Sequence, residues 1–164
     1  MAIVTLKEKP IHTCGELPKK GSIAPEFRLV KQDLSEESLS SLPHKKKILN
    51  IVPSLDTHTC GLSAKTFYKK LAGKDDLILI NISMDLPFAQ SRFCKAEGLD
   101  DARVLSAFRS DFPKEYGVEI TDGPLKGLCA RAVILLDEEN KVLYTEQVSE
   151  ITHEPDYDKL FAQL

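Results

Sequence analysis

The chain has 164 residues, 42% hydrophobic and 29% charged, with a formal net charge of −3. That balance suits a single globular domain over residues 1–164 with a real core, and it excludes intrinsic disorder. The negative charge and the short, scattered lysine clusters (Lys19-Lys20, Lys45-Lys46-Lys47, Lys69-Lys70) read as solvated faces, so nucleic acid is not an expected partner.

Residues 3–7 and 11–14 flank Glu8-Lys9-Pro10 and read as a hairpin, an N-terminal addition within residues 1–15. Lys7, Glu8 and Lys9 leave no room for a secretory apolar region, and no apolar run approaches the ~18 residues that span a bilayer. A cytoplasmic location with no membrane association is expected. A loop follows at residues 15–22, then a strand at 27–31. Residues 33–42, dense in serine and acid, suit a turn with a short helical piece.

Residues 46–52 form an apolar strand that breaks at Pro53. Cys60, Ala64, Phe67, Tyr68 and Leu71 then recur with helical spacing, predicting a helix over about 60–72 with Gly73 as its stop. Residues 76–84 are almost continuously apolar, as a strand buried on both faces should be. Asp85 and Pro87 mark the start of a helix over 87–97 that ends at Gly98 and carries Cys94. A short strand at 103–106, a helical turn at 112–116 and a strand-and-loop segment at 117–127 come next. The strand 130–137, the turn 138–140 and the strand 141–148 read as a hairpin, and a helix over 155–164 closes the chain. The order β-α-β-α-β, then an antiparallel hairpin and a helix, predicts an α/β, thioredoxin-like fold with an added N-terminal β-hairpin.

The four cysteines, at 14, 60, 94 and 129, are far apart and include no Cys-x-x-Cys, so neither a structural disulfide framework nor a zinc site is expected, and no metal or cofactor. Cys60 is the exception to an otherwise bland set. Free cysteines usually serve as small apolar fillers. A thiol in the first turn of a helix, however, meets unpaired backbone N–H groups and the positive end of the helix dipole, both of which favour a thiolate.

Pro53-x-x-x-Thr57-x-x-Cys60 resembles the signature of the peroxiredoxins. The stretches Pro53-Ser54-Leu55-Asp56-Thr57, Asp85-Leu86-Pro87-Phe88-Ala89-Gln90-Ser91-Arg92-Phe93-Cys94 and Asp122-Gly123-Pro124-Leu125-Lys126-Gly127-Leu128 are similar to the thiol peroxidase subfamily, as is the tail from Glu150 to Asp158. The resemblance covers nearly the whole chain. It implies an atypical 2-Cys peroxidase: Cys60 attacks a hydroperoxide, Cys94 resolves the sulfenic acid as an intrachain disulfide, thioredoxin recycles it, and the chain pairs as a homodimer.

Physical requirements bear on each role. A free thiol of pKa about 8.5 is roughly 3% ionised at pH 7, so full ionisation gains about thirtyfold, or ~2 kcal/mol. Most of the acceleration must come from placing the peroxide and stabilising charge on its leaving oxygen. Thr57, three residues before Cys60, can place the peroxide, or it can simply cap the helix. Pro53 shapes the loop or merely ends the strand. Arg131 stands at the start of an apolar strand, where a lone guanidinium is costly unless paired, and it fits the family's arginine; an ion pair with an acid is the alternative.

A Cys60–Cys94 bond needs Cα atoms within about 7 Å, and a resolving thiol already there would crowd out peroxide, so the two should stand apart in the reduced chain and approach by local unwinding. Phe88 and Phe93 read as core residues, or as the rim of a pocket for organic hydroperoxides. In a continuous strand Cys129 would share the face of Arg131, as a buried filler or a second thiol near the site. Cys14 has no assignable role, and His58 is too near Cys60 in sequence to assure an imidazole–thiol contact. The competing functions are a thiol–disulfide oxidoreductase, disfavoured by the absence of a second cysteine beside Cys60, and a redox-switched binding protein.

Overall fold

The computed structural model describes residues 1–164. Its main body is a seven-stranded mixed sheet in the order β4-β3-β7-β6-β5-β8-β9, beside a separate two-stranded ribbon β1-β2. The strands are β1 (Ile3–Leu6), β2 (Lys9–His12), β3 (Arg28–Val30), β4 (Glu36–Ser38), β5 (Lys46–Ile51), β6 (Leu77–Ser83), β7 (Arg103–Ser106), β8 (Ala132–Leu136) and β9 (Val142–Gln147). The helices are α1 (His58–Lys70), α2 (Pro87–Glu97), the single turn α3 (Phe112–Glu115) and α4 (Tyr157–Phe161).

The centre of the sheet follows from its sequence. β5, β6 and β7 are parallel, joined by α1 and α2 as crossovers, while β8 runs antiparallel to β5. Alternation sorts their side chains to two sides: Leu49, Ile51, Ile80, Ile82, Ala132 and Ile134 join one apolar cluster with Phe27, Phe112 and Tyr116. Ile48, Val133 and Leu135 join another with Phe67 of α1 and Leu160 of α4. Phe67 is fully buried, edge-on to Tyr157 at 5.0 Å and to Phe161 at 6.2 Å between ring centroids. Burying such a side chain contributes about 1.5–3 kcal/mol and fixes α1 and α4 to the sheet.

The expected elements are present, with four differences. The hairpin turn is Lys7-Glu8, both at positive φ (50° and 69°), with Leu6 paired to Lys9; Pro10 therefore lies inside β2 rather than in the turn. Proline is tolerated there because the ribbon is all edge. The acidic stretch after β3 holds a strand, β4, before the 3-10 turn Leu39–Ser41. Helix α1 begins two residues earlier than expected, capped by Thr57, and α4 is shorter than the periodic stretch that announced it. No helix is long and apolar enough to cross a membrane.

Candidate active site

The register of the sheet assembles the site at one edge. Parallel β5, β6 and β7 end together, so Pro53, Asp85 and Ser106 emerge side by side. Because Ile51 pairs with Ala132 of antiparallel β8, the residue entering β8, Arg131, arrives at that same edge. This is the carboxyl end of the parallel strands, where open α/β sheets present their ligand sites.

Cys60 is 1% exposed and sits at the third position of α1. Arg131, also 1% exposed, donates from Nη2 to Cys60 Sγ at 3.1 Å and from Nε to the carbonyl of Ile151 at 3.0 Å. Its Nη1 is buried without an acceptor. No carboxylate lies within ion-pair distance of this guanidinium, so the ion-pair alternative for Arg131 is not what the fold contains. The side chain that faces its charge is the sulfur.

The loop between β5 and α1 is held by a residue whose role sequence reasoning missed. Asp85 reads in sequence as a helix-start marker, yet α2 has Leu86 at its cap with no side-chain bond. The Asp85 carboxylate turns to the loop instead: Oδ1 accepts from the Ser54 hydroxyl at 2.6 Å, and Oδ2 accepts from Leu55 N–H at 2.8 Å and the Ser83 hydroxyl at 2.7 Å. Ser106 donates to the Asp85 carbonyl. Three strand ends are thus tied to one loop.

Pro53 is buried as the chain leaves β5. Thr57 is exposed; its hydroxyl donates to the Ser54 carbonyl at 3.0 Å and accepts from Cys60 N–H at 3.4 Å. It is a helix cap, and it makes no bond to the sulfur. His58 is exposed and makes no hydrogen bond from its ring.

Cys94 projects inward from α2, 1% exposed, and belongs to the same apolar cluster as Cys60, with Val52, Leu55, Ala64, Leu99 and Val104. Both thiols are free. Burial pushes the Cys94 thiol up; the Gln32 side-chain amide, which donates to its sulfur at 3.7 Å, pulls it partly back. Between the two helices there is little slack, since a methyl group at Gly61 would meet the Leu55 carbonyl and the Phe93 ring, both at 3.2 Å.

Phe88 is not a core residue: it is 66% exposed and, with half-buried Phe93, lines a groove of about 710 Å³ beside the loop, together with Leu55, Leu86 and Arg92. Cys129 does not share a face with Arg131. It joins the cluster of Ala132 and Ile134 because strand alternation is interrupted ahead of β8, and burial pushes its thiol up to about 12. Cys14 is exposed, near the carbonyl of Pro113.

The family model described as Redoxin matches residues 19–161. The chain is 48% identical over 165 aligned positions to a thiol peroxidase of Leptospira interrogans, covering 99% of this chain and 96% of that one. Among solved structures it is similar to a peroxiredoxin-like protein from Aquifex aeolicus (40% identity, TM-score 0.93, 99% and 95% of the two chains covered). It is also similar to a thiol peroxidase from Chromobacterium violaceum (30% identity, TM-score 0.93, with the same shares covered).

Proposed function

The chain belongs to the Redoxin family, among its thiol peroxidases, and from that premise we propose that Cys60 is the peroxidatic thiol, Arg131 its charge partner and Cys94 the resolving thiol. The observation that carries this reading is the contact between Arg131 Nη2 and Cys60 Sγ, 3.1 Å long, around a buried guanidinium that no carboxylate neutralises. A thiolate supplies the missing negative charge, and the same cation, with Nη1 free, is poised for a peroxide oxygen.

The Cys60 thiolate attacks the hydroxyl oxygen of the hydroperoxide. A sulfur–oxygen bond forms, the O–O bond breaks, and the alkoxide or hydroxide released takes up a proton, leaving Cys60 as sulfenic acid. Arg131 stabilises the charge moving to the leaving oxygen. Thr57, freed from its cap or sharing it, orients the peroxide; Pro53, with no N–H, shapes the pocket floor without competing for it. Cys94 then attacks the Cys60 sulfur, the S–O bond breaks, and the hydroxide leaves as water with the Cys94 proton. Both thiols start buried, so this step uses local unwinding of the first turn of α1 and of α2 near Phe93.

Thioredoxin is the reductant that returns the disulfide to two thiols, the chain works as a homodimer in the cytoplasm, and residues 1–164 act as one unit with the hairpin included. The groove beside Phe88 and Phe93 suits organic hydroperoxides as well as hydrogen peroxide.

The test compares wild type, Cys60→Ser and Cys94→Ser for peroxide consumption with thioredoxin and its reductase, followed by mass measurement. Cys60→Ser should be inactive. Cys94→Ser should consume one equivalent and stop with Cys60 oxidised. Full turnover by Cys60→Ser would end the assignment.

A further inference from the structure

Arg131 is held by more than the sulfur. Its Nε is fixed by the carbonyl of Ile151, and one residue on, the carbonyl of Thr152 accepts from the hydroxyl of Thr59 in the first turn of α1, at 3.0 Å in each case. The backbone of residues 150–152 therefore grips both the guanidinium and the helix turn that bears Cys60.

That backbone lies in no regular strand. It is held by the Glu150 side chain, which is 9% exposed. Oε1 accepts from the Thr5 hydroxyl at 2.9 Å and from Glu8 N–H at 2.8 Å; Oε2 accepts from Thr152 N–H at 2.9 Å and the Thr152 hydroxyl at 2.7 Å. Four donors fill one carboxylate, and none of them is a cation. Two come from the N-terminal ribbon, one of them the N–H of Glu8 in the positive-φ turn, and two from the segment that positions Arg131. Backbone bonds reinforce the junction: Thr5 N–H to the Ser149 carbonyl at 2.7 Å and Ile151 N–H to the Thr5 carbonyl at 2.8 Å.

We propose that Glu150 is a positioning residue for peroxide reduction: by clamping residues 150–152 to the β1-β2 hairpin it sets the Ile151 carbonyl that aims Arg131 at Cys60. The hairpin is thereby part of the active-site scaffold. This rests on the reading of Cys60 and Arg131 given above. The clamp acts at a distance, since Glu150 has no hydrogen bond to the sulfur or to Arg131, and it acts through geometry. The four bonds hold the carboxylate charged, against the cost of burial, with its pKa down to about 2.

The decisive variant is Glu150→Gln, which keeps shape but presents an amide N–H₂ to one pair of donors. Two rates are measured on the reduced protein in a single turnover: oxidation of Cys60 by hydrogen peroxide and its alkylation by iodoacetamide. Both rates are read at about pH 10, where even an unassisted thiol of pKa about 8.5 is ionised, so that peroxide cleavage needs an aimed guanidinium whereas alkylation needs only an available thiolate. We expect the peroxide rate to fall about ten- to a hundredfold and alkylation to change less than threefold. A fall in thermal stability with the ratio of the two rates unchanged would overturn the proposal and leave Glu150 as a hairpin anchor alone.

If Glu150→Gln does not fold, Thr5→Val removes a single one of the four bonds, leaves the backbone pairing intact, and carries the same comparison with a smaller expected fall. Arg131→Met runs alongside. If its ratio matches wild type, the assignment of Arg131 fails; if only the Glu150 variant matches wild type, the clamp fails and the assignment stands.

Discussion

Asp85→Asn tests whether the catalytic loop is held in place by one carboxylate. The native carboxylate accepts three hydrogen bonds, from Ser54 and Ser83 hydroxyls and Leu55 N–H. An asparagine oxygen can replace Oδ2 and keep Leu55 and Ser83, with its N–H₂ then facing Ser54. The Ser54 oxygen already accepts from Asp56 N–H at 3.1 Å and has room for one more donor after its own proton turns away. The opposite orientation sets N–H₂ against Leu55 N–H and leaves a backbone donor unpaired, so the first is preferred.

The loss is then the charge assistance on the bonds, about 1 kcal/mol for each of three when buried. Asp85 is partly exposed, which brings the expectation to about 2 kcal/mol. For a chain of this length that is a melting temperature lower by about 4–8 °C. The peroxide rate should fall about tenfold as the tether on residues 53–57 weakens. Urea unfolding with an unchanged slope and stopped-flow oxidation read the two effects. An unchanged midpoint together with an unchanged rate would refute the tether; a lower midpoint with an unchanged rate would show that Asp85 stabilises the strand ends without organising the loop.

Phe67→Ala empties the contact between α1, α4 and the sheet and should cost about 3–5 kcal/mol in urea unfolding, while the folded variant still reacts with peroxide. A cost under about 1 kcal/mol would mean that α1 is not fixed there. For Glu150, burial raises the carboxyl but the bonds from Glu8, Thr152 and Thr5 outweigh it, taking it from 4.5 down to about 2. The stability it contributes is therefore complete above about pH 4.5 and lost as pH falls toward 2. The gap in urea midpoint between wild type and Glu150→Gln should be flat from about pH 5 to 8 and narrow below that; a gap independent of pH would contradict the bonding. Gln32→Leu removes the one donor to the Cys94 sulfur, so that thiol should be pushed further up and disulfide formation after one peroxide addition should slow several-fold. Equal rates of disulfide formation would show that Gln32 does not act on Cys94.

The residues proposed to react could be picked out because their chemistry is local or anomalous. Pro53, Thr57 and Cys60 fall within one strand-to-helix junction, and Arg131 stands out as a charge beside an apolar run. The residues that hold them were not legible, because their meaning lies in partners far along the chain: Asp85 meets Leu55 across 30 positions and Glu150 meets Glu8 across 142. Nothing in either neighbourhood distinguishes such an acid from a solvated one. The missed strand β4 is polar because it is an edge, and its Glu36 and Glu37 answer Arg109 and Arg103 rather than a core. The misplaced hairpin turn has the same origin. A Lys-Glu pair at positive φ lacks the usual Asn or Gly and is affordable only with help from outside, here Glu150. Cys129 was placed on the wrong face because strand parity was extended back beyond the start of β8.

The span of the Glu150 clamp bears on when the protein becomes reactive during synthesis. Thr5 and Glu150 are separated by 145 residues, and Cys60 and Arg131 by 71. A ribosome-bound chain that has released Cys60 has no guanidinium behind it, and one that has released Arg131 still lacks the carbonyl that aims it. On the proposed roles of Cys60 and Arg131, such a nascent chain carries an ordinary cysteine, slow toward peroxide, until the segments around Arg131 and Glu150 have folded. On that proposal, peroxide reactivity arrives when the Glu150 segment meets the N-terminal hairpin.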